Sequence, residues 1–192
     1  MKVGFTGTQK GMTSVQSYAV RGLLLRLMVE TPWPEVPEFH DGDCIGADDE
    51  AHEHAVDLGF RTILHPPWWS SKRANNGADE YRAPLDYLER NRVIVCEVDV
   101  MIAAPKEHQG ESDSGGTWYT IRFARDRKVP LYIVRPSGSI LYPGEPDPTA
   151  LMARRWPPIL YAHELEIPWV TRELTADERV YGAGCGDPRD CW

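Results

Sequence analysis

Val98-Asp99-Val100-Met101-Ile102-Ala103-Ala104 is apolar at every position but Asp99. A strand covered on one face alternates polar and apolar residues, whereas a strand covered on both faces of a parallel sheet does not. This run therefore predicts a buried parallel strand, and its surroundings complete the unit. Upstream, Leu85, Leu88 and Val95 mark a helix from about Pro84 to Cys96. Downstream, a polar loop over Lys106–Asp113 leads to a helix that starts at Ser114 or Gly115 and runs to Lys128. Pro130–Val134 is the next strand.

The same alternation extends to the N-terminus. Lys2–Phe5 is a strand that ends in Thr6-Gly7-Thr8. Thr13-Ser14-Val15-Gln16 reads as a capping box, with Thr13 as N-cap. The helix behind it carries Val15, Ala19, Leu23 and Leu27 along one stripe, and prolines at 32, 34 and 37 forbid it to continue past about Glu30. Glu38–His40 is a second strand, a helix opens at Gly46-Ala47-Asp48 and stops at Gly59, and Phe60–His65 is a third strand. The segment Pro66–Asp79 shows no periodicity, and a loop of that length in a domain is usually functional or mobile. Five strands separated by helices predict an α/β fold. The expected form is a Rossmann-like open parallel sheet in the order 3-2-1-4-5, with helices on both faces. This domain occupies residues 1–135. Half of the 16 prolines lie from Pro136 onward, so residues 136–192 are expected as an irregular C-terminal extension packed on the core.

Size and charge narrow the function classes. At roughly 100–200 residues per domain, the chain of 192 residues needs only one. With 42% hydrophobic and 26% charged residues it has the composition of a soluble globular protein. Its longest comparable apolar stretch, Gly22–Val29, is interrupted by Arg26, so no membrane span is expected. The N-terminus enters a strand at once, so no signal peptide is expected. A net charge of −8 argues against non-specific nucleic-acid binding, which relies on phosphate neutralisation. Cys44 and Cys96 read as buried thiols, and Cys185 and Cys191 lack zinc-knuckle spacing. A reducing cytoplasm follows as the default location.

In open parallel sheets ligands bind beyond the C-terminal ends of the strands, where strand order reverses. Three loops lie there: Thr6–Met12, Asp41–Ala47 and Ala104–Thr117. In the third, Ser114, Gly115, Gly116 and Thr117 precede a helix, an arrangement that presents backbone N–H groups and a positive dipole end to an anion. Gly7, Thr8 and Gln9 form a second wall, with Lys10 a solvated charge. In the middle loop Gly42 and Asp43 join the ligand set, Asp43 standing where a Rossmann acid reads ribose hydroxyls. Asp48 reads as the cap of its helix. Arg90 is the cation assigned to the ligand, although the run Arg90-Asn91-Arg92 also suits a solvated face. His40, His52 and His54 do not make a metal set, since His52 and His54 point to different faces of one helix. No metal or cofactor is expected. Trp68 and Trp69 offer aromatic surface for stacking, while Trp118 and Tyr119 read as core.

Gly46-Ala47-Asp48-Asp49-Glu50-Ala51-His52 resembles the G-[IA]-D-x-x-A-H segment of the SLOG superfamily. Arg90-Asn91-Arg92-Val93-Ile94 resembles its R-N-R-x-I helix, and Ser114-Gly115-Gly116-Thr117-Trp118 its serine- and glycine-rich signature. This group includes the DNA-processing protein DprA and the LOG cytokinin-activating phosphoribohydrolases. The resemblance covers about residues 1–135 and implies a nucleotide-derived ligand at the sheet's C-terminal edge. It also implies a homodimer built on helices beside the site. LOG enzymes carry P-G-G-x-G-T-x-x-E. Here Thr120 stands where their glutamate belongs, and the preceding proline and glycines are absent. The leading expectation is therefore binding of a phosphorylated nucleoside, nucleotide or nucleotide-derived small molecule. The alternative is an N-glycosidic bond hydrolase or transferase with Asp43, Glu111 or Asp113 as its carboxylate. A single-stranded DNA-handling role is least favoured.

Overall fold

Strand β1 (Lys2–Gly7) buries Val3 and Phe5 on one side and packs Gly4 and Thr6 on the other, and this two-sided burial organises the molecule. In the computed structural model, residues 1–68, 70–107, 112 and 115–145 are described, all within one unit, Met1–Arg154. The elements that follow β1 are α1 (Ser14–Glu30), β2 (Glu38–Asp41), α2 (Ala47–Leu58), β3 (Arg61–Leu64), β4 (Glu80–Tyr81), α3 (Tyr87–Glu97), β5 (Val100–Ala104), α4 (Gly116–Asp126), β6 (Leu131–Val134) and β7 (Ile140–Leu141). The sheet order is β4-β3-β2-β1-β5-β6-β7. All neighbours pair in parallel except β6 and β7.

The five expected strands are β3-β2-β1-β5-β6, in the expected order. Two edge strands of two residues each extend them, giving seven rather than five. Both are too short to carry an alternating pattern. β4 follows directly on the expected Pro66–Asp79 loop, which itself holds a turn of 3-10 helix at Ser70–Lys72. β7 forms a hairpin with β6, pairing Val134 with Ile140, inside the segment expected to be irregular. Of that segment only 136–145 belongs to the described residues.

Helices α1 and α2 cover one face of the sheet, over Val3, Phe5, Phe39, Val100 and Ile102. Helices α3 and α4 cover the other, where Ile94, Val98, Trp118 and Ile121 meet Met101, Ala103 and Ile133. Odd and even positions of β5 therefore feed two separate cores, which is why that strand is apolar throughout.

The start of α1 is as expected: Thr13 Oγ1 accepts from the Gln16 N–H, and Gln16 reaches back to the Thr13 N–H. Its core stripe is rotated from the expected one. Val20, Leu23, Leu24 and Leu27 are buried, while Val15 is exposed and Ala19 half-buried. The end of α2 is also as expected, with Gly59 at φ +86°, a left-handed cap that glycine adopts without strain. Its start is not. Gly46 is the N-cap, no side chain caps the helix, and Asp48 is turned inward.

Candidate functional site

The ends of β1 and β5 open into a crevice of about 500 Å3. Its walls come from the β1–α1 loop, the start of α4, the start of α3 and two loop lysines. The β1–α1 loop is held by the first turn of α2. Asp48 Oδ1 accepts from the Gly7 N–H at 3.0 Å, and Glu50 accepts from the Met12 N–H through both oxygens, at 3.0 and 3.2 Å. The Ala47 N–H donates to the Thr8 carbonyl at 3.0 Å. Asp48, which reads as a helix cap, thus positions a loop instead, together with Glu50. On the opposite wall, the Thr117 hydroxyl donates to the Gly7 carbonyl at 2.8 Å and ties the first turn of α4 to the end of β1.

Gly7, Thr8, Gln9, Arg90, Gly115, Gly116 and Thr117 line this crevice together. Gly42 and Asp43 do not. Gly42 lies behind the wall, where a Cβ would sit 1.3 Å from Arg90 Nη1. Asp43 is fully buried at φ +52° and holds a neighbouring loop, pairing with Arg73 and accepting from the Asn76 N–H at 3.2 Å. Glu111, Asp113 and Ser114 lie outside the described residues, as does Trp69. Trp68 is exposed and away from the crevice, whereas Trp118 is core and donates through Nε1 to Glu107 at 2.8 Å.

Arg90 departs most from its sequence reading. It is buried rather than part of a solvated face. Nη1 donates to the His65 carbonyl at 3.4 Å and Nη2 to Cys44 Sγ at 3.3 Å, while Nε has no partner. A buried guanidinium needs a counter-charge, and Asp48 supplies it beneath the crevice. Burial pushes the Asp48 carboxyl up to about 7 despite the pull of Arg90, with Asp41 adding to the push. Asp48 and Glu107 are the described carboxylates that line the crevice. Thr120, at the position of the LOG glutamate, is buried and fully engaged. Its hydroxyl donates to the Gly116 carbonyl and accepts from Asn91 Nδ2, both at 2.8 Å.

Sequence reasoning missed Lys72 and Lys106, which add cations to the lining. Lys106 lies two residues past the end of β5, in a loop already expected at the strand ends, so a signal existed there. Lys72 arrives from the aperiodic Pro66–Asp79 loop, and only tertiary structure could place it.

The histidines are distributed among structural roles. Buried His52 pairs through Nδ1 with Asp41 at 2.8 Å and through Nε2 with the Gly77 carbonyl at 2.9 Å. Burial lowers its pKa, but the Asp41 contact more than offsets this and the net shift is upward. His54 meets Ser17 Oγ at 2.7 Å. Among the described residues one group, His40, His65 and Glu97, places three potential metal-ligand atoms within 4.8 Å of one another. The two rings are already joined at 3.0 Å, and Glu97 Oε2 accepts two bonds from Arg82, at 3.1 and 3.0 Å. A cation there would have to displace the guanidinium.

No protein-family model and no curated protein matches the chain. Solved structures do. A molybdenum cofactor binding protein from Rippkaea orientalis superposes with a TM-score of 0.54 at 18% identity, over 70% of this chain and 76% of its own. The protein TM1055 superposes with a TM-score of 0.50 at 18% identity, over 68% and 71%. DNA processing protein A from Helicobacter pylori aligns at 21% identity over 69% and 64%, with a TM-score of 0.47. These likenesses show that the chain has a Rossmann-like fold. Among the described residues no helix is long and apolar enough to cross a membrane.

Proposed function

We propose that the crevice binds a phosphorylated nucleoside, nucleotide or nucleotide-derived small molecule. One observation carries this reading. In a chain of net charge −8, the N-terminus of α4 shares one crevice with Lys10, Lys72, Lys106 and Arg90. A local concentration of cations and unpaired helix N–H groups is what an anion requires, whatever the sign of the remaining surface. Gly115 and Gly116 let an anion approach the backbone, and Thr8 and Gln9 face it from the other wall. The description of the Rippkaea orientalis neighbour as binding molybdenum cofactor supports a small-molecule ligand.

The N-glycosidase reading is the weaker one. Thr120 is neutral at pH 7 and both hydrogen-bonding roles of its hydroxyl are used within the fold. Asp43 is committed to Arg73. Cleavage through a cationic sugar needs a carboxylate at the anomeric carbon, and the site would have to supply it from another residue. The same reasoning leaves the enzyme class open and the binding class ahead.

Calorimetric titration of nucleoside monophosphates into the wild type and Gly116→Asp tests the proposal. A Cβ at Gly116 meets nothing closer than Asn91 Nδ2 at 3.8 Å, so the variant has room to fold. The added carboxylate should weaken phosphate binding by about 1 kcal/mol or more. Equal affinity in the two proteins would sink the assignment of the α4 N-terminus.

A further inference from the structure

Three side chains that the crevice does not use converge beside strand β2. Phe39 enters the core under α1 and α2, so the next residue, His40, faces the opposite side of the sheet. His65, just past β3, lies two residues beyond Ile63, the cross-strand partner of His40, and so shares that face. Glu97, the last residue of α3, closes the group. His40 and His65 are buried and Glu97 is half-buried. None of the three lines the crevice.

Their donor atoms stand close to where one ion would hold them. His40 Nδ1 is 3.0 Å from His65 Nε2 and 3.8 Å from Glu97 Oε2, and all three atoms lie within 4.8 Å of one another. Ligands bound at about 2.0–2.2 Å from a zinc ion stand roughly 3–4 Å apart, so a small turn of the Glu97 side chain completes the fit. A second observation concerns protons. His40 Nε2 faces Glu38 Oε2 at 3.4 Å, and a proton held there leaves Nδ1 with a lone pair. A carboxylate behind the far ring nitrogen is how metal-ligating histidines are oriented. The contact between the two rings then holds one proton, on His65 Nε2, and a cation takes its place when His65 carries that proton on Nδ1 instead. Burial lowers the pKa of both rings, so each is neutral without further loss of a proton. Arg82 is the competitor. It donates to Glu97 Oε2 through Nε and Nη2, but its Nη1 already pairs with Glu80, and its side chain is half-buried. The guanidinium can release Glu97 and still keep a counter-charge.

We propose that His40, His65 and Glu97 bind a divalent first-row transition ion, Zn2+ above all, with Glu38 orienting His40 and Arg82 as the cation that the metal displaces. Two imidazoles and one carboxylate suit Zn2+ and its neighbours, whereas Mg2+ and Ca2+ take sets of oxygens. Three protein ligands leave a position for water, and the half-buried flank at Glu97 gives the ion a way in. Bound there, the ion ties β2, the end of β3 and the end of α3 together. The inference is independent of the ligand assigned to the crevice.

Optical titration of the chelator-stripped full chain with Co2+, followed by Zn2+, tests it, because Co2+ in such a site absorbs in the visible and Zn2+ displaces it without colour. The wild type should bind one equivalent and lack the intense thiolate bands that capture by its four cysteines would give. Glu97→Gln should raise the dissociation constant roughly tenfold or more, and Glu38→Gln should do the same from behind His40. Arg82→Gln should lower it by roughly tenfold, since it removes the competing charge; general destabilisation does not tighten a site. His54→Gln, on α2 and bonded to Ser17, should change nothing. The rise in thermal midpoint on adding Zn2+ should follow the same order among the variants. A wild type that binds no Co2+ at micromolar concentration overturns the proposal. So do thiolate bands, an affinity indifferent to Glu97→Gln, or one that Arg82→Gln fails to improve.

Discussion

Asp48 shows how one residue can be right in place and wrong in role when read from sequence. It stands at the start of α2, as a cap should, but its carboxyl points into the protein, under the crevice and beside Arg90. Burial first, and Asp41 second, hold its pKa at about 7 instead of 3.8, against the pull of Arg90. Between those values the folded state keeps a proton that the unfolded chain has released. The stability this proton contributes is complete below the unfolded value and is lost as pH rises through about 7. Urea unfolding of the wild type and Asp48→Asn, compared from acid to mildly alkaline pH, should expose this. The stability difference between them should shift against the wild type by up to about 1 kcal/mol per pH unit across that window, then level off. A flat difference would mean that the Asp48 carboxyl is not held up by its surroundings. Arg90 shows the complementary limit. Its neighbours in sequence are charged or polar, so a solvated reading was natural. Its burial depends on Asp48, Cys44 and His65, which lie on other elements.

At the scale of elements, what local rules govern was legible. The Thr13–Gln16 box, the Gly59 stop and the unbroken apolarity of β5 are written in adjacent residues, and the structure bears out each. In the stripe of α1, Leu23 and Leu27 are buried as expected, while Val20 and Leu24 take the places expected of Val15 and Ala19, because apolar residues surround that helix and periodicity alone points in no single direction. Strands of two residues carry no pattern at all, which is why β4 and β7 were not foreseen. Thr13 has a further duty that its motif does not reveal: its hydroxyl also donates to the Pro136 carbonyl at 2.6 Å. Thr13→Ala should therefore lose the cap and this tie together, about 1–2 kcal/mol by chemical denaturation. A loss within error of zero would show that the box contributes nothing in this context.

At the scale of the whole molecule, charge and site pull in different directions. The chain is acidic, while cations gather at one crevice. That combination favours a small anion, which meets the crevice alone, over a polymer, whose repeated phosphates must also face the acidic remainder. Fluorescence anisotropy should find single-stranded DNA bound at least about tenfold more weakly than a nucleoside monophosphate at moderate salt. DNA binding of equal strength would reverse the order of the two readings. The crevice's location was legible because strand order fixes where loops converge. Its full cation set was not, because Lys72 comes from a segment without pattern.

Gly42 and Arg90 occupy what is almost one place, since a methyl group on the first would overlap the guanidinium of the second. Over evolutionary time the two positions are bound to change as a pair. A lineage that enlarges 42 while keeping arginine at 90 has to turn that guanidinium aside and give up its present contacts with the His65 carbonyl and Cys44. Aligned relatives, once gathered, should show these two columns moving together although 48 positions separate them in the chain.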